Sequence, residues 1–144
     1  MSLKEELSLP KGIRDSEHEA VLNIVYTGEL LAKEATRLLR EFGLTQTQLN
    51  VLMLLGGQSE DGCLGQTDLG RMLLVNRSNV TGLIDRMEEA GWVRRAAGDD
   101  DRRVKLVCLT AEGRRLLEEA TEAYFDRLSD VMSGLDESGC REIC

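Results

Sequence analysis

The sequence predicts a mainly α-helical chain carrying one small β-hairpin, and three observations predict it. Apolar residues recur every three or four positions over two long stretches, 15–42 and 111–133. The single proline, Pro10, lies near the start, so nothing after it forbids long helices. Between the long stretches the pattern turns strand-like over 92–109, around a polar tip containing Gly98.

Taken in order, residues 1–14 read as an N-terminal arm. From about Asp15, the positions Val21, Leu22, Val25, Leu31, Ala35, Leu38, Leu39 and Phe42 trace one helical face, closed by Gly43. That helix exceeds the globular mean of about 11–12 residues, so a dimer partner is expected along it. Thr45 with Gln48 three residues on is a capping box; Leu49, Leu52, Met53 and Leu55 follow, and Gly56-Gly57 stops the helix. Residues 58–65 read as a polar loop. Thr67 is expected to cap a short helix from Asp68 to about Leu74, and Asn76 another from Arg77 to about Ala90, ended by Gly91. Two short helices joined by so brief a turn form a helix-turn-helix. Trp92–Ala96 and Arg103–Leu109 read as strands joined by a tip, 97–102. Thr110 caps the last long helix, with Leu116, Leu117, Ala120, Tyr124, Leu128 and Val131 on one face, and 135–144 begin another helical segment. The expected architecture is a winged helix-turn-helix lobe at 44–110, flanked by helical dimerisation segments at 15–43 and 111–144.

A chain of 144 residues, 42% hydrophobic, is large enough for one domain with its own core. No run approaches the roughly 18 apolar residues of a membrane span, and the charged start (Lys4, Glu5, Glu6) lacks a signal-peptide core. The expected location is therefore the cytoplasm. The cysteines, at 63, 108, 140 and 144, are expected to be free thiols there. The net charge of −8 is unevenly spread: residues 66–106 carry +1, while the segments before and after carry −4 and −5. The eight cations of that middle third (Arg71, Arg77, Arg86, Arg94, Arg95, Arg102, Arg103 and Lys105) fall within 35 residues. Gathered on one surface they would attract a polyanion. Aromatic residues make up only 3%, which argues against a site that stacks single-stranded bases.

A helix at 76–90 can enter a duplex major groove about 12 Å wide, and the hairpin tip can reach the neighbouring minor groove. On that helix Val80, Leu83 or Ile84, and Met87 form the expected buried stripe. Arg77, Ser78, Asn79, Thr81, Asp85 and Arg86 fall mostly off it, and Gly82 permits close approach to DNA. Ser, Asn, Thr and Arg are the residue types that read base edges or bind phosphate.

Leu44-Thr45-x-x-Gln48-x-x-Val51-Leu52, Leu69-Gly70, the run Asn76-Arg77-Ser78-Asn79-Val80-Thr81-Gly82-Leu83-Ile84-Asp85-Arg86-Met87-Glu88, and Gly91-Trp92-Val93-x-Arg95 resemble the MarR family of bacterial transcriptional regulators. Asp101-Arg102-Arg103, followed by Val107-x-Leu109-Thr110-x-x-Gly113, is similar to that family's acid-x-Arg wing and helix entry. The resemblance covers roughly residues 20–133. It implies a homodimer held by the N- and C-terminal helices, bound to double-stranded DNA at a pseudo-palindromic operator. Asp101 would hold Arg103, and Arg102 or Arg103 would enter the minor groove, where a carboxylate can fix a guanidinium rotamer. The resemblance also implies a repressor controlled by a small aromatic or anionic effector between the dimer helices and the DNA-binding lobe. Tyr26 and Tyr124 are candidates to line that pocket, or to serve the core. Two departures stand out: three consecutive acids (Asp99, Asp100, Asp101) at the wing, and a last helix shorter than the family's. Either the dimer rests more on 15–42 and 111–133, or the sequence continues beyond Cys144.

Cys140 and Cys144, four apart, would share a helical face, and Cys63 sits in an exposed loop, so all three are candidate redox thiols. Cys108 is expected to be buried in its strand. His18, alone, does not make a structural zinc site, and no metal or cofactor is expected. Trp92 is expected to pack between helix and hairpin. Two consecutive N-glycosylation sequons (76–78 and 79–81) have no meaning in a cytoplasmic protein. Walker, GxGxxG, HExxH and GxSxG motifs are lacking, so no enzymatic activity is expected. The rival readings are a winged-helix module that binds another protein and a thiol-based redox-sensing regulator.

Overall fold

The helices start and stop at caps that their own residues supply. The computed structural model describes residues 3–9, 11–73, 79–98 and 105–143, and it divides into two units, 1–37 and 38–144. The first holds α1 (Leu3–Glu6), a short helix inside the expected arm, and most of α2 (Ser16–Leu39). Asp15 caps α2 by accepting the His18 N–H at 2.8 Å, which leaves His18 in an exposed first turn. Val21, Ile24, Val25 and Leu31 of α2 are all exposed, Ile24 at 73%.

The second unit opens with a 3-10 turn, Arg40–Phe42, which Gly43 ends in the left-handed conformation (φ 67°). It continues through α3 (Gln46–Gly57), β1 (Cys63–Gly65), α4 (Gln66–Met72), α5 (Val80–Glu89), β2 (Val93–Ala97), β3 (Lys105–Leu109), α6 (Ala111–Met132) and α7 (Glu137–Ile143). The expected capping box of α3 is present: Thr45 Oγ1 accepts from Gln48 N–H at 3.2 Å, and Gln48 Oε1 accepts from Thr45 N–H at 2.8 Å. Leu49, Leu52, Leu55, Leu69, Ile84, Met87, Val93 and Val107 are buried in one core joining α3, α4, α5 and the sheet. Trp92, Leu116, Leu117 and Tyr124 pack against it, so Trp92 lies where expected. Among the described residues no helix is long and apolar enough to cross a membrane.

Three expectations are corrected here. Residues 58–65 are not all loop, because Cys63–Gly65 is a strand. It completes a three-stranded antiparallel sheet in the order β1-β3-β2, with registers Cys63↔Cys108 and Arg95↔Val107. The helix after it begins at Gln66 rather than at a Thr67 cap. β1 delivers Gly65 in extended conformation (φ −60°, ψ 134°), so helical geometry starts at the next residue without a side-chain cap. Nor are all the cysteines free thiols. The pairing of β1 with β3 sets Cys63 opposite Cys108, and the two form a disulfide (S–S 2.11 Å, Cα–Cα 4.1 Å). Cys108 is buried as expected, Cys63 is half-buried, and Cys140 is a free thiol on α7. Cys144, and Asn76 with its expected capping role, lie outside the described residues.

Candidate nucleic-acid interface

The rotation of α5 about its axis follows from its apolar stripe. Val80, Leu83, Ile84 and Met87 are all buried, both Leu83 and Ile84 serving where one was required. Thr81, Asp85 and Arg86 are thereby forced outward, with Asn79 exposed just ahead of the helix. A Cβ built on Gly82 would lie 3.6 Å from Arg86 Nη1, an ordinary contact. Internal packing therefore does not demand glycine there. Of the expected DNA-contacting residues, the structure brings Thr81, Gly82 and Arg86 onto this one helix, with Asn79 at its N-cap. Arg77, Ser78, Asp101, Arg102 and Arg103 lie outside the described residues.

One edge of α5 is tied to its neighbours. Gln66, the first residue of α4, donates from Nε2 to Thr81 Oγ1 at 3.1 Å. Thr81 uses its oxygen as acceptor in that bond. The stronger tie is Arg95 on β2. Its Nη2 meets Asp85 Oδ1 at 2.6 Å, its Nη1 meets Glu88 Oε2 at 2.6 Å, and its backbone N–H reaches Glu88 Oε1 at 2.8 Å. Both carboxylates sit on the helix that would face phosphates, and Arg95 neutralises them in place.

Arg95 is therefore a positioning residue that the sequence reading missed: it appeared there only as one of eight cations and part of a motif. The bond from the Arg95 backbone N–H, followed by that from its guanidinium, holds the Glu88 carboxyl below its ordinary value of 4.5. Burial works against the charge of Arg95 itself, but the bonds to Glu88 and Asp85 outweigh it and raise its pKa. Because Glu88 titrates lower in the folded chain, its contribution to stability is complete above about pH 4.5 and is lost as pH falls through the depressed value. Glu88→Gln should flatten the acid limb of an unfolding titration below pH 4.5, whereas Gln66→Ala should leave that limb unchanged. Arg95→Met should weaken duplex binding about tenfold, as expected when positioning rather than a base contact is lost; unchanged binding would refute that role.

Residues 44–105 match the family model of the MarR family. The regulator FarR of Neisseria gonorrhoeae is 30% identical over 117 residues, covering 81% of this chain and 78% of that protein. The chain belongs to the MarR family. The transcriptional activatory protein BadR of Rhodopseudomonas palustris is 40% identical over 89 residues, 62% of this chain, and the match spans only 51% of BadR's length. Among solved structures, a MarR family regulator of Streptomyces coelicolor in complex with DNA superposes with a TM-score of 0.83 at 25% identity, over 90% of this chain and 86% of that one. CouR of Rhodococcus jostii, bound to p-coumaroyl-CoA, gives 0.76 at 25% identity over 92% and 90%.

This MarR-family chain also carries an open cleft of about 400 Å³ between α3 and α6, lined by Met53, Gly56, Gly57, Leu117, Glu118, Thr121 and Glu122. Its walls are almost wholly apolar, and the Thr121 hydroxyl is buried without a hydrogen-bond partner. Tyr124 packs against the core rather than lining this cleft, and its ring meets Phe125 edge-on at 5.7 Å. Tyr26 belongs to the other unit. No group of three or more His, Cys, Asp or Glu suited to a metal occurs among the described residues.

Proposed function

We propose that this MarR-family regulator is a homodimeric, sequence-specific reader of double-stranded DNA that acts in the bacterial cytoplasm as an effector-controlled repressor at a pseudo-palindromic operator. The observation that carries the reading is the outward face of α5, with Thr81 and Arg86 presented and its two acids neutralised by Arg95. The likeness to a relative solved in complex with DNA supports it. The exposed apolar run on α2, Val21, Ile24, Val25 and Leu31, supports a second copy as partner, since exposed apolar stretches of this kind are rarely left bare. Repression is the sign proposed because occupying a promoter needs only the DNA-binding surface, whereas activation needs a further contact. BadR, named an activatory protein, shows that relatives include the other sign.

The cleft between α3 and α6 supports a small effector, as does the ligand-bound relative. Of the two effector classes the resemblance implies, an uncharged aromatic suits the apolar walls, while Glu118 and Glu122 at the cleft would repel an anion. The domain reading is kept as part of the proposal: 1–14 an arm, 15–43 and 111–144 the dimerisation region, 44–110 the DNA-binding lobe. The direct experiment is selection of bound sequences from a random duplex pool at moderate salt. An enriched palindrome with half-sites about one helical turn apart would support the dimeric reader. No enrichment from a confirmed dimer would favour the protein-binding alternative. With the selected duplex in hand, Arg103→Ala should lower the salt slope of binding by about one, and an unchanged isotherm would reject the wing contact. Substituting Ser78 or Asn79 should change base preference more than non-specific affinity.

A further inference from the structure

We propose that Cys63 and Cys108 form a reversible thiol–disulfide exchange site at the root of the wing, set by a small-molecule disulfide–thiol couple, and that its oxidised form binds operator DNA more tightly. The second half rests on the DNA-binding reading above; the first rests only on the cytoplasmic location proposed there. The two residues are direct partners across β1 and β3, with their sulfurs bonded. They occupy a gap in the ladder: the Cys63 N–H is taken by Ser59 Oγ at 2.9 Å and Asp61 Oδ1 at 3.0 Å, while Gly62 O accepts from Leu109 N–H at 2.9 Å. Directly opposed residues at such non-hydrogen-bonded positions approach most closely, which is the placement that lets facing sulfurs bond directly. A regulator that works on cytoplasmic DNA sits in a reducing compartment, where disulfides that form are characteristically transient and redox-sensing.

Access sets the order of events. Cys63 is half-buried and Cys108 only 2% exposed. In oxidation the Cys63 thiolate attacks a small disulfide, forming a mixed disulfide and releasing one small thiolate. The Cys108 thiolate then displaces the second. The protein gives up two electrons and two protons, and the small disulfide becomes two thiols. Reduction runs the same steps backwards, with a small thiolate attacking Cys63 and Cys108 leaving.

The link to DNA is mechanical. β1 runs directly into α4, and β3 is the central strand of the sheet. The sequence separation of 45 residues means that the bond closes a ring containing all of α4, α5 and β2. Oxidised, α4, α5 and β2 belong to one covalently closed ring, tied to β3 before DNA arrives. Reduced, that junction keeps the three-residue β1–β3 ladder and the shared core but loses its covalent tie, so more of the positioning cost falls on binding.

The test uses the full chain with Cys140 and Cys144 replaced (C140S, C144S), so that only this pair titrates. It is equilibrated across ratios of reduced to oxidised glutathione, then alkylated and weighed, while binding of the selected duplex is followed by anisotropy at the same ratios. The expected result is conversion between no and two alkyl groups within the accessible ratios, with affinity falling about fivefold or more on reduction. C63S should stay at the weak value at every ratio. The oxidised-versus-reduced comparison needs no core substitution, so it stands even if C63S fails to fold. Thiols that stay reduced throughout, or a bond that stays closed throughout, would overturn the exchange site. Equal affinity in both states would overturn the coupling. A chain that binds no duplex in either state would overturn both the coupling and the reading it rests on, while the alkylation curve still decides the exchange.

Discussion

Gly113→Ala should destabilise the fold by roughly 3 kcal/mol, at the upper end of overpacking costs. A Cβ at Gly113 would lie 2.0 Å from the Trp92 carbonyl oxygen and 2.9 Å from its carbonyl carbon. Those are backbone atoms, so no side-chain rotation relieves the clash. The same carbonyl oxygen accepts the Thr110 N–H at 3.1 Å and shares the Thr110 hydroxyl proton (3.0 Å) with Gly91 O (2.7 Å). Thr110 Oγ1 in turn caps α6 by accepting from Gly113 N–H at 3.0 Å. Displacing Trp92 therefore loosens the cap of α6 and the joint between α5 and β2 together. Urea unfolding checks this, with Gly57→Ala as control, because nothing lies within 4 Å of a Cβ at Gly57. A loss below about 1 kcal/mol for Gly113→Ala would mean that α6 shifts freely.

Reducing the Cys63–Cys108 bond should lower the unfolding free energy by about 4 kcal/mol, on the chain-entropy relation for a loop of this length. That is a large share of the roughly 5–15 kcal/mol typical of a domain, yet it leaves a folded protein. Urea midpoints with and without reductant, on the C140S, C144S background, measure it directly. Coincident midpoints would show that the unfolded chain gains no freedom when the ring opens.

What the sequence revealed was local. The capping box of Thr45 and Gln48, the stop at Gly43 and the buried stripe of α5 each depend on residues within about two helical turns of one another, so spacing alone exposes them. Gly113 was visible as part of a motif, but the reason for it, the carbonyl of Trp92, was not. β1 escaped notice because three residues cannot display an alternating pattern, and its partner lies 45 residues away. The disulfide was missed for the same reason, and redox context then argued for free thiols. Gly65 displaced Thr67 at the start of α4 because an incoming strand, not a side chain, set the geometry. Arg95 stood in the sequence only as one of eight cations that could gather on one surface. Only the placement of β2 beside α5 reveals that Asp85 and Glu88 consume it. The cleft between α3 and α6 left no trace in the pattern, since the two helices are far apart in the chain and meet across glycines.

Arg95 grips α5 at two positions one turn apart while fixed in the backbone of β2. α5 and β2 must then tilt and translate together. On the proposed dimeric reading, the letters of each half-site would be written into this joined head, whereas the number of base pairs between half-sites would depend on how two heads are held apart. Spelling and spacer thus become separable traits. Changes elsewhere in the chain can retune the spacer an operator needs while the half-site consensus stays the same.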